Sequence, residues 1–163
     1  MREILFKAKR LSDGEWVEGF PYWGEYSGAF ILQNKAYRRR NARTGEILMG
    51  DDIVPIEVDP STVCQYTNID TWREAWPSSE VHKIFTGDYL GEWGEDEDGN
   101  ECVCILGVVT YWESEGRYVL ADEDGLCNDW TLEDEAQPVN WPKLIHCGNI
   151  HDGEGGQYEG GRQ

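Results

Sequence analysis

The sequence predicts a mainly β fold made of small antiparallel strands, arranged as a small barrel or sandwich, with one short helix. Three observations carry this reading. Short apolar runs recur along the chain, Gly-containing turns separate them, and only one segment bears helix start and stop signals. The 163 residues, 39% of them apolar and eight of them Trp, are enough to bury an ordinary hydrophobic core.

The first strand is expected over Glu3–Lys9 and the second over Glu15–Gly19, with Ser12-Asp13-Gly14 as the turn between them. Asp-Gly between apolar runs is a strong hairpin signal, because Gly accepts the positive φ that a tight turn needs. A third strand fits Gly28–Gln33. Lys35 to Arg43 then carries five bases, including Arg38, Arg39 and Arg40, before Thr44-Gly45 turns the chain into Glu46–Met49. Asp51–Pro60 is expected to be extended, since Pro55 and Pro60 each push the preceding residue out of the helical region. The helix candidate follows at Thr71-Trp72-Arg73-Glu74, which has the Thr-x-x-Glu form of a capping box, and Pro77 would stop it.

The strand idiom returns over Val81–Leu90, through an acidic turn at Asp98-Gly99, and over Cys102–Trp112. Gly107 inside that last run marks a bulge or a sharp bend. Glu113–Gly116 turns the chain into Arg117–Ala121, and Asp124-Gly125 turns it again. One domain is expected over 1–151, with an N-terminal β part over about 1–60 and a C-terminal part over about 81–151. Residues 152–163 form a Gly-rich tail.

Charge narrows the functions. With 32 acids against 14 bases the chain carries −18, and the imbalance is uneven: net −3 over residues 1–81 and net −15 over 82–163. Such a balance disfavours binding across a broad nucleic-acid surface, whose affinity comes from cationic neutralisation of phosphates. No apolar run approaches the length of a membrane span and Met1-Arg2-Glu3 opens no signal peptide, so a soluble, cytoplasmic protein without membrane contact is expected.

The motifs offer little catalysis. Asp96–Gly99 and Asp122–Gly125 share an Asp-x-Asp-Gly core, yet in an EF-hand register Ile105 and Thr131 fall where the final acid must stand, so both read as solvated turns. His82, His146 and His151 form no zinc-protease spacing, and no nucleophile elbow, phosphate loop or dinucleotide fingerprint occurs. Five cysteines, an odd number, read as thiols. Cys102 and Cys104 would share one strand face as small buried groups, with no second pair to complete a zinc site. The expectation is therefore no enzyme, no cofactor and no metal.

Four segments, taken in order, resemble the YopX protein family of bacteriophages and prophages. They are Met1–Ala8 with Trp16–Gly19, Val58–Thr67, Ile84–Leu90 and Leu144–Ile150; between them Gly107-Val108-Val109 resembles the family's Gly-x-Val strand. The chain departs from the pattern at Asn68, where the family has Gly, at Thr86, where it has an acid, and over Trp72–Glu80, which replaces a shorter turn. The resemblance implies a mainly β protein with an SH3-like, barrel-like C-terminal part, and implies no established activity.

The leading expectation is a non-catalytic module that binds a protein partner or a second copy of itself. Its candidate contacts are Arg38, Arg39 and Arg40, the basic cluster, and Trp93 and Trp141, which lie in polar or irregular sequence where an aromatic is a better interface anchor than a core residue. Trp16 and Trp112 read instead as core. Two alternatives stand beside this one: an acidic imitation of nucleic acid that occupies a host nucleic-acid-binding protein, and direct nucleic-acid binding through the Arg cluster. A further expectation is that the Arg cluster docks on acidic surface from residues 92–135, in the same chain or another.

Overall fold

A computed structural model describes residues 4–25, 28–72, 81–122, 127–131 and 144–153. Its secondary structure is almost entirely antiparallel strand, as the sequence predicts. The chain divides into two compact units, one of Ile4–Gln65 and one containing Tyr66–Gln163.

In the first unit, β1 (Phe6–Lys9) and β2 (Trp16–Gly24) form a hairpin across the predicted Asp13-Gly14 turn, where Gly14 has a φ of 75° and donates to the Arg10 carbonyl at 2.9 Å. Strand β2 changes partner along its length. Trp16–Gly19 pairs with β1, and Phe20–Gly24 pairs with β3 (Gly28–Arg40). Gly19 sits at the changeover because β3 passes close by: a Cβ there would lie 2.4 Å from the Leu32 carbonyl oxygen. Strand β4 (Ile47–Val58) pairs with β3 over its whole length, from Ala29 opposite Val58 to Arg40 opposite Ile47. Pro55 falls within β4, which the order β4-β3-β2-β1 leaves at an edge, the position where a missing N–H is tolerated. Ala8, Val17, Ala29, Ile31 and Val58 make the core, with Phe6, Ile56 and Val63 packed against it. A single 3-10 turn, Pro60–Thr62, follows; the Asp59 carboxylate accepts from the Ser61 N–H at 2.9 Å and caps it.

Strand β5 (Cys64–Trp72) begins beside β1 in the first unit and pairs in the second with β6 (Val81–Phe85). Here one expectation fails. Thr71 and Trp72 do not begin a helix; they are strand residues opposite His82 and Val81, because a long-range ladder outweighs a local capping signal. The remainder of that segment, with Glu74 and Pro77, lies outside the described residues. Asn68 has a φ of 67°, inside a register shift between Tyr66 and Asp70, so it occupies a conformation that favours Gly.

A sheet ordered β10-β9-β8-β7-β11 follows: β7 (Asp88–Glu95), β8 (Glu101–Trp112), β9 (Arg117–Ala121), β10 (Cys127–Thr131) and β11 (Ile145–Asn149). The bend expected at Gly107 is present. Leu90 pairs with Gly107 but Gly91 with Ile105, leaving Leu106 as the extra residue. A Cβ at Gly107 would lie 2.6 Å from the Ala121 carbonyl oxygen, so only Gly lets β9 approach. Ile84, Leu90, Val109, Tyr118, Leu120 and Leu144 form the second core. The Asp124-Gly125 turn and most of the Gly-rich tail lie outside the described residues.

Candidate functional site

Each unit carries a hairpin whose outer half outruns its described neighbours. In the first unit β2 accompanies β3 only as far as Leu32, so Gln33–Arg40 has β4 as its sole described strand partner and stands as a two-stranded ribbon. Such a ribbon needs cross-strand contacts to hold its register. On one face Lys35 lies opposite Asp52 and Tyr37 opposite Gly50, with the Tyr37 ring lying where a Gly50 side chain would go. The Arg39 guanidinium covers that ring at 4.7 Å and reaches the Asp52 carboxylate at 3.0 Å. At the tip the Asn41 side chain accepts from the Arg43 and Thr44 N–H groups, and Gly45, with a φ of 74°, closes the turn.

The opposite face of the ribbon is turned outward and is chemically mixed. Arg38 stands opposite Met49 and Arg40 opposite Ile47, with Ile53 further along. Met49 is 78% exposed and Ile53 67%. The same face continues onto β2 through the exposed Phe20 and Tyr22, whose cross-strand partners are Leu32 and Phe30. Two guanidinium groups and the Asp51 carboxylate therefore sit among exposed aliphatic and aromatic side chains, and Arg, Met and aromatic residues are enriched at protein interfaces. Sequence reading found the arginines and missed the apolar strip. Its signal was Ile47-Leu48-Met49 directly after the turn, a run with no alternation to mark an inner face.

In the second unit β11 leaves β7 after Gly91 and β9 meets β8 only from Val108 onward, so Glu92–Glu95 and Glu101–Cys104 project as a second, acidic hairpin. Its turn is the predicted one. Gly99, with a φ of 79°, donates to the Asp96 carbonyl at 3.0 Å. The Asp96 carboxylate accepts from the Asn100 N–H at 2.8 Å and from the Asp98 N–H at 3.0 Å. The Asn100 backbone, followed by its side chain, holds that carboxyl below the ordinary range. Trp93, 54% exposed, lies opposite Val103 and lines a shallow depression with Gly94, Glu95 and Glu101.

The cysteine expectation is corrected here. Cys102 and Cys104 do share a face, with sulfurs 3.8 Å apart, but they lie on the projecting half of the hairpin, Cys104 exposed and Cys102 half-buried, because among the described residues no third strand covers them. Among the described side chains Cys64 and Cys147 are the buried thiols. Trp112 is also no core residue: it ends β8 exposed, with the Arg117 guanidinium 6.0 Å from its ring. Trp16 is half-buried beneath the Lys7 and Lys9 ammonium groups, at 4.7 and 5.2 Å. Trp141 lies outside the described residues.

A buried polar network roots the acidic hairpin. Asp88, fully buried at the start of β7, accepts from the Phe85 N–H at 2.8 Å and from the Asn149 side-chain amide at 2.8 Å, with His146 Nε2 at 3.5 Å. The Ile150 N–H donates to the Gly87 carbonyl at 2.9 Å. The segments Ile84–Leu90 and Leu144–Ile150 thus meet in one cluster. Among the described residues no three His, Cys, Asp or Glu side chains gather as a metal site, and no helix is long and apolar enough to cross a membrane. Comparison of the chain with protein families, with curated proteins and with solved structures gives no match.

Proposed function

We propose that the protein is a non-catalytic protein-binding module and that the outward face of the β3–β4 ribbon is its main contact. One observation carries this: Ile47 and Met49 stand exposed opposite Arg40 and Arg38, with Ile53 further along beyond Asp51, on a ribbon whose opposite face carries its own Lys35, Tyr37, Arg39 and Asp52. The chemistry fits a partner with an apolar centre and an acidic rim, in which guanidinium groups pair with carboxylates and the aliphatic strip leaves water. The four ordered segments support placing the chain among the YopX-like proteins of phages and prophages, with the barrel-like C-terminal part that family implies, at work in the cytoplasm of a bacterial host.

A second reading has its own observation. A two-stranded ribbon is narrow enough for the major groove of DNA, and this one carries Lys35, Arg38, Arg39, Arg40 and Arg43. The exposed aliphatic strip and the net charge of −18 favour the protein partner. Capture from host lysate with the parent, Met49→Glu and Arg38→Gln/Arg40→Gln separates the readings. A captured protein that survives high salt and is lost with Met49→Glu is the expected result. A nucleic acid held by the parent, lost with the Arg variant and indifferent to Met49→Glu would replace the proposal with the second reading. A basic nucleic-acid-binding protein held by the parent and by both variants would assign the function to the acidic half as a nucleic-acid mimic.

A further inference from the structure

The two projecting thiols make a pair that the binding proposal does not use. Cys102 and Cys104 alternate with Val103 along β8, so both sulfurs leave the same side of the hairpin, and they stand 3.8 Å apart. The residue opposite Cys102 is Gly94. A Cβ there would lie 2.7 Å from the Cys104 sulfur, so the glycine leaves room that the thiol fills and keeps the pair uncovered. Metal–sulfur bonds of about 2.3 Å to two sulfurs at that separation enclose an angle of roughly 110°, the tetrahedral value.

We infer that Cys102 and Cys104 form a chelating site for a thiophilic, tetrahedral divalent cation of the zinc type, with two coordination positions open to solvent or to donors from another molecule. Binding exchanges protons for metal: each thiol gives up its proton to solvent, two sulfur–metal bonds form, and no oxidant or reductant takes part. The surroundings favour the cation. Glu92 lies opposite Cys104, and Asp96, Glu95 and Glu101 stand on the same hairpin. A site with two protein ligands is weaker and more exchangeable than a closed structural site with four. The lack of a second cysteine pair, which speaks against a structural zinc finger, is therefore compatible with such a site.

The test titrates the reduced full-length chain with cadmium, whose sulfur charge-transfer absorption in the ultraviolet reports thiolate ligation. Zinc then competes for the site. The expected result is saturation at no more than one ion per chain, reversed by zinc, with affinity falling at least tenfold in Cys102→Ser and in Cys104→Ser. Cys64→Ser, Cys127→Ser and Cys147→Ser should retain the band. Gly94→Val keeps every thiol, confirmed by thiol counting, yet crowds the Cys104 sulfur and should weaken binding; circular dichroism checks that each variant is folded. No band from the parent, or a band that survives loss of either Cys102 or Cys104, overturns the inference.

Discussion

The two projecting hairpins are built alike and carry opposite charge. The ribbon of β3 and β4 extends past β2 as eight β3 residues from Gln33 to Arg40 paired with β4, and holds its shape by Arg39, Tyr37 and Asp52 on one face. The hairpin of β7 and β8 is shorter, and is held at its tip by Asp96 and Asn100 and at its root by the buried Asp88 network. The difference is where the stabilising groups lie. The basic ribbon is held by exposed contacts along its length, which are individually weak and screened by salt. The acidic hairpin is held at a fully desolvated root, where losing one partner strands others without hydrogen bonds. A surface suited to exchanging partners is the expected product of the first arrangement, and a rigid platform of the second.

Substitutions at the two roots and along the ribbon put that contrast to the test. The largest effect is expected at Asp88. Asp88→Ala removes the side-chain acceptor of the Phe85 N–H and one acceptor of the Asn149 amide in a buried site, and should cost about 3 kcal/mol. Denaturant unfolding measures it; a loss below about 1 kcal/mol would mean that the root is not what holds the hairpin. An intermediate effect is expected at the root of the basic ribbon. Gly19→Ala drives a methyl group against the Leu32 carbonyl and should cost about 2 kcal/mol, with amide exchange accelerating in β2 and β3 and remaining unchanged in β7–β9. Equal acceleration in both sets would erase the distinction between the hairpins.

The smallest effect belongs to the exposed ribbon contact. Arg39→Gln removes the pair with Asp52 and the stacking on Tyr37, both largely in solvent, and should change global stability by less than about 1 kcal/mol, with the difference shrinking as salt rises. A salt-independent loss of several kcal/mol would show the ribbon to be a core element. The structure gives Arg39 its ion pair inside its own hairpin, and Arg38 and Arg40 face the other way. The three arginines that sequence reading treats as one cluster therefore divide by strand alternation: one supports the ribbon and two border its apolar strip.

Much of the β architecture was legible from residue order, because turn chemistry is local. Asp13-Gly14, Thr44-Gly45, Asp98-Gly99 and Glu113–Gly116 all turn the chain where a left-handed Gly or a short polar side chain permits it, whereas the turn at Thr86-Gly87, which splits the expected Val81–Leu90 run into β6 and β7, was not marked. The bulge beside Gly107 was equally legible, since a Gly inside an apolar strand has few other uses. What tertiary structure alone decided was coverage. Cys102 and Trp112 belong to apolar strand sequence of the kind that elsewhere forms the core, and they differ from Val109 because no further element among the described residues covers them. Thr71 and Trp72 carry a helix-capping signal, and β6 draws them into a ladder instead. Local sequence sets where a chain can turn and which side chains share a face; burial depends on which distant strand arrives beside that face, and where it stops.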